Sequence, residues 1–282
     1  IVQMPPAISG GEHDFVFLSS MIHAHVDELF PGMKVTGCFQ FRVTRNSDLL
    51  VDVDLDEDLL QVLQGGLFER NYGGAVRLEV ADNCPDDVAD YLLEKFDLTR
   101  REMFKVHGPV NLSRLTAVFD LVERAEFKFA PFTPGIPREL HGVEDMFAAI
   151  SKHRRILIHH PYQSFTPVVD FIRQAANDPK VVAIKQTLYR TGKNSAIVDA
   201  LEMAARNGKE VTAVIELRAR FDEAANIELA TRLQKAGAYV AYGIVGFKTH
   251  AKMLMVVRRE GHEMKRFVHL GSGNYHAGTA RV

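Results

Sequence analysis

The chain has no tryptophan, two cysteines in 282 residues, and no uninterrupted apolar stretch of membrane-spanning length. A spanning helix needs about 20 consecutive apolar positions, so no helical anchor is expected within these residues. Cys38 and Cys84 allow at most one bridge and make no disulfide framework, and no signal peptide is evident. Reduced thiols in the cytosol are therefore expected. Charge of one sign is also missing, since the formal net charge is −2. That excludes the global basic field on which nucleic-acid binders and membrane-surface proteins rely, and any anion must be held by local clusters. Heptads, internal repeats and low-complexity tracts are absent, which argues against a coiled coil, a solenoid or a disordered tail.

What is present is an ordinary globular composition, with 46% apolar and 25% charged residues. The length suits two domains, each with a sizeable core. The first residue is Ile1 rather than methionine, and the last two, Arg281 and Val282, follow closely on a glycine-containing turn. The sequence therefore reads as a fragment. Three prolines and a glycine between Phe129 and Pro137 predict a linker there. The expected division is a mixed α+β domain over residues 1–130 and an α/β domain over residues 131–282.

In the first half, alternation of Phe39, Phe41 and Val43 against polar neighbours predicts a strand over residues 35–45, then a turn at Asn46-Ser47-Asp48. Helices are expected at 54–68, at 85–96 opened by Pro85, and over 112–127, with a second strand at 75–80. Downstream, short apolar strands at 156–158, 181–184, 211–217, 238–242 and 253–258 alternate with amphipathic helices at 164–176, 194–207 and 224–236. Gly208 and Gly237 are placed as helix stops. Strands alternating with helices predict a largely parallel sheet covered on its faces. Ligands of such sheets gather at the carboxyl ends of the strands.

Those ends are rich in phosphate-binding residue types. Arg190 and Lys193 follow the second strand, and Arg218 and Arg220 follow the third. His250 and Lys252 open the fifth, two apart in an apolar run, so alternation predicts both on one face. A neutral imidazole attacks phosphorus, and an ammonium beside it holds the oxygens of the group attacked. Gly271-Ser272-Gly273-Asn274 is a small-residue turn that an oxyanion can approach. Each element has a plainer meaning. The His250–Lys252 pair also fits a core histidine and an edge-strand lysine, and Arg218 and Arg220 also fit surface ion pairs with Glu216, Asp222 and Glu223. Adjacent His159 and His160 point to opposite faces of an expected strand and lack a third ligand, so a structural role is expected for them. His13, His23, His25, His107, His141 and His153 show no ligand spacing. The concentration of Arg190, Arg220, His250, Lys252 and Asn274 at one sheet edge is what points to phosphoryl chemistry.

The motifs also resemble a known family. His250-Ala251-Lys252 followed by Gly271-Ser272-Gly273-Asn274 resembles half of a phospholipase D superfamily active site. The fuller set, Tyr162-Gln163-Ser164-Phe165, residues 184–192, 206–211 and 218–227, together with His250-Ala251-Lys252, resembles polyphosphate kinase of the first type. Residues 41–48 resemble the head domain of that family. The resemblance implies a head domain followed by a phospholipase D-like α/β catalytic domain. It implies reversible transfer of the terminal phosphate of ATP to inorganic polyphosphate, with His250 as the residue that becomes phosphorylated. Arg190 and Arg220 match the family's magnesium- and phosphate-site arginines. Because a guanidinium does not ligate a cation, they are expected to bind the phosphates that carry Mg²⁺. By match to the phospholipase D pattern, Lys252 and Asn274 are expected on the same phosphoryl oxygens. Mg²⁺ as cofactor, ATP, ADP and polyphosphate as partners, a homo-oligomer, a cytoplasmic location and peripheral membrane association belong to the same set of implications, with no nucleic-acid partner.

Two departures bear on the choice of family. The phospholipase D pattern expects an acidic residue shortly after the lysine, and Met253-Leu254-Met255-Val256-Val257 supplies none. The kinase family also lacks it, which favours the kinase. The family's N-terminal helical domain and its second C-terminal domain are not represented, so these residues alone are expected to bind phosphate weakly and to make no polymer. The alternatives are a phospholipase D-type phosphodiesterase or phosphatidyltransferase, and a non-catalytic polyanion-binding module.

Overall fold

The computed structural model describes residues 1–46, 73–192, 195–216, 222–243, 248–278 and 280. They fall into two compact units, one drawn from residues 1–46 and 73–130 and the other from residues 131–280.

The first unit opens with a two-stranded ribbon, β1 (Val2–Gln3) antiparallel to β2 (Phe15–Val16), and with short helices α1 (Pro6–Ser9), α2 (Leu18–Ala24) and α3 (Val26–Leu29). Its main element is a three-stranded sheet. In it β3 (Phe41–Arg45) runs antiparallel to β4 (Ala75–Ala81), and β4 runs parallel to β5 (Met103–Val106). Helix α4 (Asp86–Lys95) makes the crossover, starting after Pro85, with Asp86 and Asp87 facing the positive end of its dipole. Alternation on β4 buries Leu78 and Val80, which pack with Cys84, Ala89 and Leu93.

Two expectations for this half change, and a third is untested. The strand expected over 35–45 is regular only from Phe41 to Arg45. The helix expected over 112–127 yields only α5 (Thr116–Leu121) flanked by single 3₁₀ turns. Leu112, Phe119 and Phe127 stay exposed, so no buried stripe stabilises a longer helix. The helix expected at 54–68 lies outside the described residues. Cys38 and Cys84 are free thiols.

The second unit is α/β. Helix α6 (Met146–His153) is capped by Asp145, whose carboxylate accepts the Ala148 N–H at 3.0 Å. Then follow α7 (Thr166–Asn177), β6 (Val181–Leu188), α8 (Ala196–Arg206), β7 (Glu210–Ile215), α9 (Glu223–Lys235), β8 (Tyr239–Ala241), β9 (Lys252–Glu260) and β10 (Glu263–Gly271). Gly208 and Gly237 end α8 and α9 with φ of 77° and 95°, a region glycine enters without the penalty a Cβ brings. The five strands lie in the order β10-β9-β6-β7-β8. Ile184, Val211 and Val256, matched in register across the three central strands, are all buried and join Ile172 and Leu201 of the covering helices in one core.

The expected α/β class holds, but the sheet is mixed rather than largely parallel. β6-β7-β8 are parallel, whereas β9 is antiparallel to both β6 and β10. The β9–β10 pair is a hairpin turning at Gly261, φ 65°. The predicted strand at 156–158 does not form. Leu157 is 88% exposed, so this apolar triplet has no second face to bury. The reversal of β9 has a functional outcome. Its first residue, not its last, lies at the sheet edge where β6 and β7 end.

Candidate functional site

The site is built where the β6–β9 ladder stops. The last register pair is Gln186 with Leu254. One residue further along β6, the buried Thr187 hydroxyl takes the place of main-chain pairing: Oγ1 accepts the Met253 N–H at 2.9 Å and donates to the Ala251 carbonyl at 2.7 Å. Residues 248–250 precede the strand in irregular conformation, so strand alternation does not apply to His250. The expectation that His250 and Lys252 share one strand face is therefore corrected. His250 is exposed, while Lys252 is 6% exposed and aims its Nζ back at the His250 carbonyl, 2.6 Å away. Burial pushes the Lys252 ammonium below its ordinary value of 10.5, and among the described residues no carboxylate pairs with it to offset the desolvation.

Tyr189, the residue after β6, is the hub. Its ring meets the His250 ring edge-on at 5.2 Å between centroids. Lys252 Nζ lies 5.1 Å from the same ring centroid and the Arg190 guanidinium carbon 5.5 Å from it. Arg190 stands in the left-handed region, φ 53°, and its Nε donates to Asp222 at 3.0 Å in an exposed ion pair. Three predicted site residues, Arg190, His250 and Lys252, thus gather around one aromatic ring. A cationic cluster with an exposed imidazole suits an anionic group whose charge grows as it is transferred.

Arg220 lies outside the described residues. Asn274 sits apart from the ring. Gly271 is the register partner of Lys252, and the chain then turns so that Asn274 lines a neighbouring cavity of about 460 Å³ with His159, His160 and Ser272. The Asn274 carbonyl accepts the His276 N–H at 2.8 Å, and among the described residues its side chain makes no hydrogen bond to His250 or Lys252. His160 stands in a turn rather than on the expected strand, with its Nδ1 2.8 Å from the Gln163 carbonyl.

Three contributors were missed in the sequence. Tyr189 immediately precedes Arg190, and its place after a strand was the available signal. Thr187 lies within the same run. Glu216 was weighed only as a surface ion, yet it is 4% exposed and its Oε2 accepts the Thr249 N–H at 2.6 Å.

Beside the cavity, His269 is held with its Nδ1 2.8 Å from the Tyr275 hydroxyl. Burial, with His160 nearby, lowers His269 from 6.5 to about 4, and burial pushes the Tyr275 phenol up. Both groups are neutral near pH 7, and the tyrosine donates to Nδ1 in the tautomer that carries its proton on Nε2. The unfolded chain binds this proton near pH 6.5 and the folded one near 4. Stability is thus intact above pH 6.5 and is lost as pH falls toward 4, by up to about 3 kcal/mol. Denaturant midpoints measured across that window should fall, and His269→Gln, which keeps an acceptor for Tyr275, should flatten the decline. An unchanged decline would contradict the assignment.

Comparison with known proteins places this geometry. Residues 145–282 match the family model "Polyphosphate kinase C-terminal domain 1", and residues 1–118 match "Polyphosphate kinase middle domain". The chain belongs to the polyphosphate kinase family. Polyphosphate kinase of Pseudomonas aeruginosa is 61% identical over 282 residues, all of this chain and 41% of that protein. Polyphosphate kinase of Neisseria gonorrhoeae is 54% identical, again over all of this chain and 41% of the relative. The chain therefore spans about two fifths of the length of these relatives. The crystal structure of polyphosphate kinase from Porphyromonas gingivalis superposes with a TM-score of 0.69 at 28% identity, over 92% of this chain and 36% of that one. Thr187, Tyr189, Arg190, Glu216, His250, Lys252 and Asn274 all fall within the match to C-terminal domain 1 of the polyphosphate kinases.

Proposed function

We propose that this chain carries the phosphoryl-accepting site of an ATP–polyphosphate phosphotransferase. The observation that carries the reading is the exposed His250 imidazole, grouped with Lys252 and Arg190 around Tyr189, in a chain of this family. An unprotonated ring nitrogen of His250 attacks the γ-phosphorus of ATP. The new N–P bond forms as the bond to the β–γ bridging oxygen breaks, and ADP leaves with that electron pair. A terminal oxygen of polyphosphate then attacks the same phosphorus, the N–P bond breaks and the imidazole is regenerated. Run backwards, the two steps make ATP.

Lys252 and Arg190 supply positive charge where the equatorial oxygens gather it. Arg220 and Asn274 join them on the phosphate chain in this reading. Guanidinium groups offer donors only, so Arg190 fits the phosphate oxygens of a magnesium–nucleotide complex rather than the ion itself. When bound, Mg²⁺ neutralises part of the phosphate charge. Residues 1–130 act as the head domain and residues 131–282 as the first, phospholipase D-like catalytic domain of a cytoplasmic homo-oligomer, with peripheral membrane association as a further feature. Among the described residues, no helix is long and apolar enough to cross a membrane.

The test is covalent labelling of the full-length protein with γ-labelled ATP. Acid-labile, alkali-stable label that chases into polyphosphate on adding acceptor is the expected result. Polymer synthesis with no phosphoenzyme under rapid quench would overturn the phosphohistidine. Nucleotide-independent phosphodiester cleavage, or polyphosphate binding without turnover, would overturn the kinase reading altogether.

A further inference from the structure

The imidazole of His250 is exposed, yet the main chain around it is fastened on both sides by side chains. Glu216 Oε2 accepts the Thr249 N–H at 2.6 Å, Lys252 Nζ donates to the His250 carbonyl at 2.6 Å, and Thr187 Oγ1 donates to the Ala251 carbonyl at 2.7 Å. Regular ladder bonds do none of this, because residues 248–250 lie outside any strand. Glu216 is itself fixed. Its N–H donates to the Leu188 carbonyl at 3.2 Å, and its carbonyl accepts Asn226 Nδ2 at 2.9 Å from the first turn of α9. A buried carboxylate is costly unless it is hydrogen-bonded, and here it is spent on the amide next to the reacting residue.

We propose that Glu216 is a positioning residue, acting through the Thr249 amide to fix the Cα–Cβ direction of His250 for in-line attack. The inference rests on the reading of His250 as the phosphorylated residue. In-line displacement is sensitive to placement, and a shift of about 1 Å at the nucleophile costs on the order of 10²-fold in rate.

In the full-length protein, the initial rate of His250 phosphorylation by γ-labelled ATP should fall about 10- to 100-fold in Glu216→Ala, with the KM for ATP changed less than about 3-fold. Glu216→Gln keeps an acceptor oxygen at the same reach and should recover most of the rate. Glu216→Asp keeps the charge but shortens the reach, and should stay slow. If Glu216→Ala does not fold, the Gln and Asp pair carries the test by itself. A wild-type rate in Glu216→Ala or Glu216→Asp, or Glu216→Gln as slow as the other two, overturns the inference. The two failures separate through a His250→Ala blank. Label persisting in the blank removes the reading of His250, whereas label lost in the blank but unchanged in the Glu216 variants removes only the role of Glu216.

Discussion

In the full-length protein, and on the proposed reading of His250 as the phosphorylated residue, replacing it with alanine should abolish the phosphoenzyme and lower polyphosphate synthesis by at least about 10³-fold, since removing a nucleophile from a cooperating group leaves only binding and electrostatics. The effect should fall on kcat. His250 is exposed and outside the ladder, so its truncation opens no core cavity and the melting temperature should move little. Ring contact with Tyr189 is lost, but Tyr189 keeps the Lys252 ammonium beside its face. Quantifying acid-labile phosphate after rapid mixing, alongside a thermal melt, separates lost chemistry from lost fold. A variant that still labels at the wild-type stoichiometry would move the nucleophile elsewhere in the protein.

Lys252→Met should lower kcat by about 10²- to 10³-fold, the usual cost of deleting one preorganised donor to a developing anion. Methionine follows the path of the aliphatic stem and so fills the same buried strand position. Among the described residues the buried ammonium has no carboxylate partner, and burial lowers its titration below 10.5 in the folded protein. The unfolded chain therefore binds this proton more tightly, and at neutral pH the charge opposes folding. That penalty fades as pH rises through the folded-state value. Relief of the buried charge and loss of the hydrogen bond to the His250 carbonyl act in opposite directions, so the variant should stay close to the parent in stability at pH 7 while being far slower. A variant that is both unstable and fully active per folded molecule would mean that Lys252 serves packing instead of transfer.

The sequence made the repetitive parts of this molecule readable. Helices α7 to α9, with glycine stops at 208 and 237, follow from apolar spacing and backbone permissiveness, both local properties. Strand direction is not local. Nothing in residues 252–260 encodes that they run opposite to β6, because an apolar alternation reads the same in either sense. The edge holding Arg190, His250 and Lys252 was nevertheless legible, because phosphate-binding residue types cluster beside the expected strand ends and the family motif names the same positions. Tyr189, Thr187 and Glu216 were missed because their roles are contacts across 61, 64 and 33 positions of chain, made by residue types that are common everywhere. The triplet at 156–158 misled for the opposite reason: it has strand composition, but the neighbour needed for a ladder is not there.

Arg190 holds a left-handed backbone that an L side chain enters at a cost of about 1 kcal/mol or more. A search for heat-resistant variants would thus reward glycine or asparagine at this position, while discarding the guanidinium that faces Tyr189 and Asp222. Backbone ease and the guanidinium's contacts thus make opposite demands on this one position.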